Sequence, residues 1–359
     1  MSNLPKITYY TTVTDQDGYK LGFAQEDLGE FDWEEDLIIF EKTLSDLGTI
    51  PYKLSFGHEL VSQLIELKPP LIWNLNSGVR GITREAQVPA LCEMLGIPLV
   101  GSGSWTAFVI QDKTLATNWL SLHGIPIDIP NSILIENLVE VNKVDLLIFP
   151  GSYIIKPNNE DSSRGVDINS IQKDKNGVKN QVKRMLDNWG AVRIEEYIEG
   201  FDISANLACK PEYGLFPLAP VKIDSPIGIY TGAMKNIVVN APQKVRTPLS
   251  GYDKNLSEHV ETLALRIGEV FHFRHYARID LRYDPKNRKL YFLECNICPS
   301  FEPDDDYVFG AKLSGLTFSE LLNNILVTAY ADAQKGYHLR EVPAKIRHIF
   351  GGNDGRKNS

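Results

Sequence analysis

Two stretches near the C-terminal end, Ala277–Tyr283 and Leu290–Asn296, carry chemistry-bearing residues at alternate positions: Arg278, Asp280 and Arg282 on the first, Glu294 and Asn296 on the second. Side chains in a strand change face at every residue, so each set projects from one side, while Ile279, Leu281, Leu293 and Cys295 take the other, buried side. Asp284–Lys289 reads as the connecting turn. A hairpin symmetric about Asn287 sets Asp280 opposite Glu294, with Cβ atoms ~5 Å apart. Two carboxylates at that distance repel unless a divalent cation relieves them. Magnesium suits the pair, because it takes one or two carboxylates and completes its shell with phosphate oxygens and water. Asn296 adds a neutral oxygen, and Arg278 could offset charge developing on a phosphate or an oxyanion. Alternation alone fits equally well the solvated face of an ordinary antiparallel hairpin. The Asp/Glu/Asn trio, and the acidic run Glu302 and Asp304–Asp306 just beyond, favour the metal reading.

A phosphate-bearing ligand also needs cations. Lys113 opens a helix after Gln111–Asp112, and Lys156 ends the strand Ser152–Lys156, just before Pro157 and a loop, Glu160–Val166, that contains Ser162, Ser163 and Gly165. Small residues let backbone N–H groups approach an anion. Taken singly, each lysine reads more readily as a surface residue. The strand Val192–Ile198, followed by Glu199–Asp202, has the character of a connector between domains, whose backbone could read an adenine edge and whose carboxylate could hold ribose hydroxyls.

The elements that must position these groups follow a simple rhythm. Up to about Gly103, strands at Ile7–Tyr10, Pro70–Asn74 and Pro98–Val100 alternate with helical stretches at Leu37–Leu47 and Ala86–Leu95. That is βαβ order and predicts a parallel sheet. Asp112–His123 reads as a helix ended by Gly124 and Pro126. Further helices are expected at Gly177–Leu186, Leu256–Phe271 and Thr317–Ala329, with a strand at Ile203–Cys209. The fold class is therefore α/β, turning to α+β in the C-terminal part. At 359 residues and 43% hydrophobic, the chain is long enough for two or three cores. A net charge of −9 argues against nucleic acid as a partner. No run approaches the ~18 apolar residues of a membrane span. Four cysteines are too few for a disulfide scaffold, so a cytoplasmic setting is expected. Cys295-Asn296-Ile297-Cys298 has C-x-x-C spacing without a second pair for zinc, and Gly101-Ser102-Gly103 lacks the third glycine of a dinucleotide fingerprint.

In order along the chain, Gly101–Gly103 with Gln111–Lys113, Ile155–Pro157 with Ser162–Val166, Glu195–Gly200, Ala277–Asp280 and Leu293–Pro299 together resemble the ATP-grasp superfamily, and within it the D-alanine–D-alanine ligases. The resemblance implies a three-domain fold: a Rossmann-like unit at 1–105, a central unit at 106–196, a C-terminal unit with the metal site at 197–336, and a polar tail at 337–359. It implies ATP with two magnesium ions, manganese being an alternative. Lys113, Lys156, Ser162 and Ser163 would meet phosphates, and Glu195, Glu196, Ile198 and Asp202 would meet adenine and ribose. Asp280, Glu294 and Asn296 would hold metal, while Arg278, Lys235 and Ser300 would act in catalysis. The activity implied is carboxylate–amine ligation through an acyl phosphate on small-molecule substrates, in a homodimer.

Departures fall on the substrate side. No Ser-x-Glu motif is recognisable in Tyr9–Lys20, Asn76-Ser77-Gly78 with Arg80 replaces a His-Gly signature, and Ser300 stands where the family has glycine. Ser77, Arg80, Asp304 and Asp305 are the candidate substrate contacts. An acidic run beside the reaction centre predicts a cationic or polar amine acceptor and a specialised biosynthetic role. A true D-alanine–D-alanine ligase, a phosphotransferase and a non-catalytic nucleotide-binding protein are the other readings.

Overall fold

Alternating apolar stretches and amphipathic helices build the first sheet. In the computed structural model, which describes residues 4–23, 31–75, 77–147, 151–161, 163–225, 244–303 and 305–336, strands β1 (Ile7–Thr11), β2 (Ile50–Leu54), β3 (Ile72–Asn74) and β4 (Leu99–Val100) pair in parallel in the order β2-β1-β3-β4. This is the doubly wound order that βαβ units generate. Helices α1 (Asp15–Leu21), α2 (Glu34–Asp46), α3 (His58–Leu67) and α4 (Arg84–Leu95) connect these strands. The sequence signals missed α1, β2 and α3. β2 is an edge strand with Pro51 and Lys53 inside it and most of its residues open to solvent, so it carries no apolar run.

Helices α5 (Ser104–Gln111) and α6 (Lys113–Leu122) follow, divided at Asp112. Asp112 leaves the helical conformation and caps α6, its carboxylate accepting the Leu115 N–H at 2.8 Å. The cap fixes where Lys113 begins its helix.

The next sheet is antiparallel, in the order β5-β8-β6-β7, from β5 (Ser132–Ile135), β6 (Tyr153–Pro157), β7 (Ile171–Gln172) and β8 (Val192–Glu196). Helix α7 (Lys175–Trp189) lays Val178, Val182 and Met185 on it. The third sheet joins β9 (Phe201–Lys210), β10 (Gly214–Pro217), β11 (Val221–Asp224), β12 (Val245–Pro248), β13 (Tyr276–Asp284) and β14 (Lys289–Asn296) in the order β12-β11-β9-β13-β14, with β10 paired to β9. Helix α8 (Lys254–Val270) covers one face, and α9 (Asp306–Leu313) and α10 (Phe318–Lys335) pack on the other.

The first and third sheets share a core. Trp73 of β3 is fully buried and donates its indole N–H to Tyr276 Oη of β13 at 3.0 Å. Phe40, Phe301 and Tyr307 pack around this pair at ring distances of 5.3–6.2 Å. Among the described residues no helix is long and apolar enough to cross a membrane. The expected tail, 337–359, lies outside the described residues.

Between β8 and β9 the chain turns at Gly200, where φ is +148° and a Cβ would stand 1.9 Å from the Tyr283 carbonyl oxygen. No L side chain fits there. Gly200→Ala should therefore lower unfolding stability by on the order of 3 kcal/mol, read by denaturant titration; a loss below about 1 kcal/mol would contradict this close approach.

Candidate active site

The β13–β14 hairpin places Asp280 opposite Glu294 and Arg278 opposite Asn296, as the alternation anticipated. The route to that register differs. The pairs nearest the turn, Asp284 with Lys289 through Leu281 with Phe292, centre between Lys286 and Asn287, and a bulge between Leu281 and Asp280 supplies the one-residue shift. The extra residue is Leu293. It is therefore half-buried and lines the same cleft as Glu294, instead of facing the apolar side.

Each facing carboxylate has its own cation. Arg278 forks onto Asp280, Nε to Oδ1 at 2.9 Å and Nη2 to Oδ2 at 3.0 Å. Lys113 Nζ lies 3.0 Å from Glu294 Oε2 and 3.8 Å from Asp161 Oδ1. Burial opposes ionisation of Glu294, yet Lys113 and Lys156 outweigh it and hold the carboxyl below the ordinary glutamate range. Asp280 is pushed up, by burial first and by Glu294, against the pull of Arg278. Two carboxylates and an amide oxygen on one ribbon face are a donor set that fits a magnesium ion sharing phosphate oxygens. Asn296 Oδ1 also accepts the Cys298 N–H at 2.7 Å, which orients the amide.

Lys156, at the end of β6, is held by Glu195 of β8, Nζ to Oε2 at 2.8 Å. Arg193 occupies the other oxygen at 2.5 Å. Glu195, expected beside the nucleotide base, is thus a buried counter-ion; burial works to raise it, and Lys156 with Arg193 keep it low. Asn158 ties the following loop to α6: its carbonyl accepts the Lys113 N–H at 3.1 Å and its side chain the Thr114 N–H at 3.2 Å.

A single cleft gathers Lys113, Lys156, Ser163, Glu195, Glu196, Ile198, Asp202, Arg278, Asp280, Glu294 and Asp305 with the apolar Ile154, Val166 and Leu293. In the connector, Arg282 clamps the backbone: Nε donates to the Ile198 carbonyl at 3.0 Å and Nη1 to Asp202 at 2.8 Å. The Glu196 N–H already donates to the Asn131 carbonyl at 2.8 Å. Ser77 and Arg80 are not among the cleft's lining residues, and Arg80 is exposed. Arg84, four residues on, is buried and reaches the loop after β6 instead, with Nη1 3.0 Å from the Asn159 carbonyl and Nη2 3.1 Å from Glu160. Its only sequence signal is an arginine opening a helix. Ser162, Lys235, Asn76 and Asp304 lie outside the described residues.

The acidic run is not a free anionic cluster. Asp306 binds Lys244 at 2.7 Å and Arg246 at 2.6 Å, and Asp305 caps α9, accepting the Tyr307 N–H at 3.0 Å, with Arg278 at 3.8 Å. Burial raises Asp306, but Lys244 and Arg278 bring it below its usual range. Carboxylates gather instead in a second, small cavity, where Asp32 and Asp36 of the first unit meet Ser300 and Glu302 over Phe40 and Phe301. Cys295 and Cys298 are free thiols pushed well up by burial, which leaves no redox pair at the C-x-x-C spacing.

Residues 131–327 match the family model described as D-ala D-ala ligase C-terminus. The chain is 26% identical over 286 residues to the D-alanine–D-alanine ligase of Aquifex aeolicus, covering 79% of this chain and 91% of that one. The structure is similar to that of a D-alanine–D-alanine ligase from Bacillus anthracis complexed with ATP, with TM-score 0.65 and 19% identity over 92% of this chain and 99% of that one. It is likewise similar to D-alanyl-alanine synthetase A from Vibrio cholerae, with TM-score 0.69 and 14% identity over 91% and 99%. These likenesses show the ATP-grasp fold.

In the second cavity, burial, with Asp305 and Asp36 adding to it, pushes Glu302 from 4.5 up to about 7, and burial takes Asp32 up to about 6. A carboxyl that keeps its proton longer when folded stabilises the fold fully below the unfolded value, and that contribution is lost as pH rises through the folded value. Stability should fall between about pH 4.5 and 7, by on the order of 2 kcal/mol for Glu302. Glu302→Gln should flatten the dependence and raise the melting temperature at pH 8; an unchanged slope would show that Glu302 is not held this way.

Proposed function

Because the chain belongs to the D-alanine–D-alanine ligase C-terminal family, we propose that its cleft binds magnesium–ATP between β6–β8 and the β13–β14 hairpin and joins an amino-acid carboxylate to an amine. The enzyme is an ATP-grasp ligase that forms C–N bonds. It uses ATP and a divalent metal. The observation that carries the site assignment is Asp280 facing Glu294 across the hairpin, in a cleft that also holds Lys113, Lys156 and Arg278.

Roles follow from position. Asp280, Glu294 and Asn296 are the metal ligands in this reading, and two magnesium ions fit the donor set together with phosphate oxygens. When bound, the metal neutralises charge between phosphates and carboxylates. Lys113 and Lys156 bind the phosphates, and the Ser163–Gly165 turn offers backbone donors. Ile154, Ile198 and Leu293 accept the base, with Asp202, oriented by Arg282, at the ribose. Substrate carboxylate oxygen attacks the γ-phosphorus and ADP leaves; the amine then displaces phosphate and releases its proton. Arg278 sits where it can offset the negative charge that builds in both steps. The three sheets support a division at 105, 196 and 336, and four free thiols support a reducing, cytoplasmic setting.

Two substrate readings stand. The relatives named D-alanine–D-alanine ligase favour D-alanine for both positions. The carboxylates beside Ser300 favour a cationic amino group on the substrate, and with it a different amino acid in a specialised pathway. ADP release measured with D-alanine alone, and then with amino acids in pairs, separates them. With the active substrates, Glu294→Gln should lower kcat by on the order of a thousandfold. Near-normal ADP production by that variant would refute the metal assignment.

A further inference from the structure

Arg193 is only 1% exposed, lies outside the cleft lining, and yet sits between both phosphate-side lysines. Its Nε donates to Glu195 Oε1 at 2.5 Å, on the carboxylate whose other oxygen holds Lys156 at 2.8 Å. Its Nη1 donates to Thr114 Oγ1 at 3.0 Å and Thr117 Oγ1 at 3.1 Å, on the first turn and a half of the helix that Lys113 opens. The remaining nitrogen, Nη2, is buried with no hydrogen-bond partner among the described residues. A charged group left with an orphaned donor is a poor choice for stability alone, since an apolar side chain of similar length would avoid the desolvation. Its neighbours on β8, Val192 and Ile194, are apolar and buried, as an interior strand requires.

From this geometry we infer that Arg193 is a positioning residue that sets the two phosphate-binding lysines relative to one another, and that it does so by sharing the charge of Glu195. The inference rests on the proposed reading of the cleft. Glu195 carries one negative charge between two cations, so Lys156 keeps net positive charge to offer a phosphate. Without Arg193, Lys156 becomes the sole ion-pair partner of Glu195, which then neutralises it and can draw both its oxygens onto the ammonium. The link to Thr114 and Thr117 is lost at the same time, which removes one anchor of the start of α6 and leaves the Asp112 cap and Asn158 to hold Lys113. Arg193 touches no substrate; it acts through Glu195 and the two threonines.

The test is the dissociation constant of magnesium with a non-hydrolysable ATP analogue, measured by calorimetry on the full chain, beside the melting temperature of each variant. Arg193→Met should weaken binding by about tenfold or more, the scale of one charged hydrogen bond. The double variant Arg193→Met/Glu195→Gln should recover most of that loss, because Lys156 is again unneutralised. A purely structural arginine predicts no recovery, so a double variant as weak as the single one overturns the inference. Wild-type affinity in Arg193→Met, with weakened binding in Lys156→Met, also overturns it and leaves the reading of the cleft intact. Wild-type affinity in Lys156→Met removes that reading and the inference with it. Should Arg193→Met not fold, Thr117→Val keeps every charge and removes one anchor; a loss of about twofold to threefold supports the positioning role, and unchanged affinity refutes it.

Discussion

Asp280 and Glu294 face each other from neighbouring strands, and neither charge is tolerable there without compensation. The protein resolves the conflict by assigning each acid a cation from a different direction. Arg278 comes from the same strand as Asp280, two residues away, and Lys113 comes from the N-terminus of α6. The hairpin can therefore hold two carboxylates on one face only while α6 stays docked against it, and α6 stays docked because Ala116 and Leu120 are buried in one core with Leu281, Leu290 and Phe292, while Asn158 grips its first turn. The same cations face the space a nucleotide's phosphates would fill. In the proposed reading, compensation of the acids and recognition of the nucleotide are one arrangement.

Three sheets must converge for this to work, and each junction has its own device. The first and third are fused through Trp73, Tyr276 and Phe301, a shared aromatic core rather than a hinged contact. Phe301 belongs to the loop that carries Ser300, so the joint also fixes the second cavity. The second and third sheets meet at Gly200 and at the Arg282 clamp on Ile198 and Asp202. Arg84 then ties the first unit to the loop after β6 through Glu160.

Much of the site was legible because strand alternation is a rigid code. Arg278, Asp280, Glu294 and Asn296 could be placed on one face from spacing alone, and Lys113 and Lys156 from their positions at element ends. What was not legible depends on contacts between residues far apart in sequence. The bulge that turns Leu293 toward the cleft leaves no mark in the alternation. Asp304–Asp306 reads as an anionic patch until Lys244 and Arg246, some 60 positions earlier, are seen to neutralise Asp306. Glu195 reads as a ligand contact until Arg193 and Lys156 are found on its two oxygens. Edge strand β2, with Pro51 and half-open faces, lacks the apolar run that sequence reading depends on.

The central claim is that the facing carboxylates of β13 and β14 hold divalent metal at the nucleotide. It is tested most directly by titrating manganese into the protein with a non-hydrolysable ATP analogue and following the free ion by electron paramagnetic resonance. The wild-type chain should bind manganese at the nucleotide site more tightly than the analogue does in solution, and Asp280→Asn should weaken that binding by about tenfold or more while the fold persists. Identical manganese binding by the two proteins would mean that the ribbon face is not a metal site.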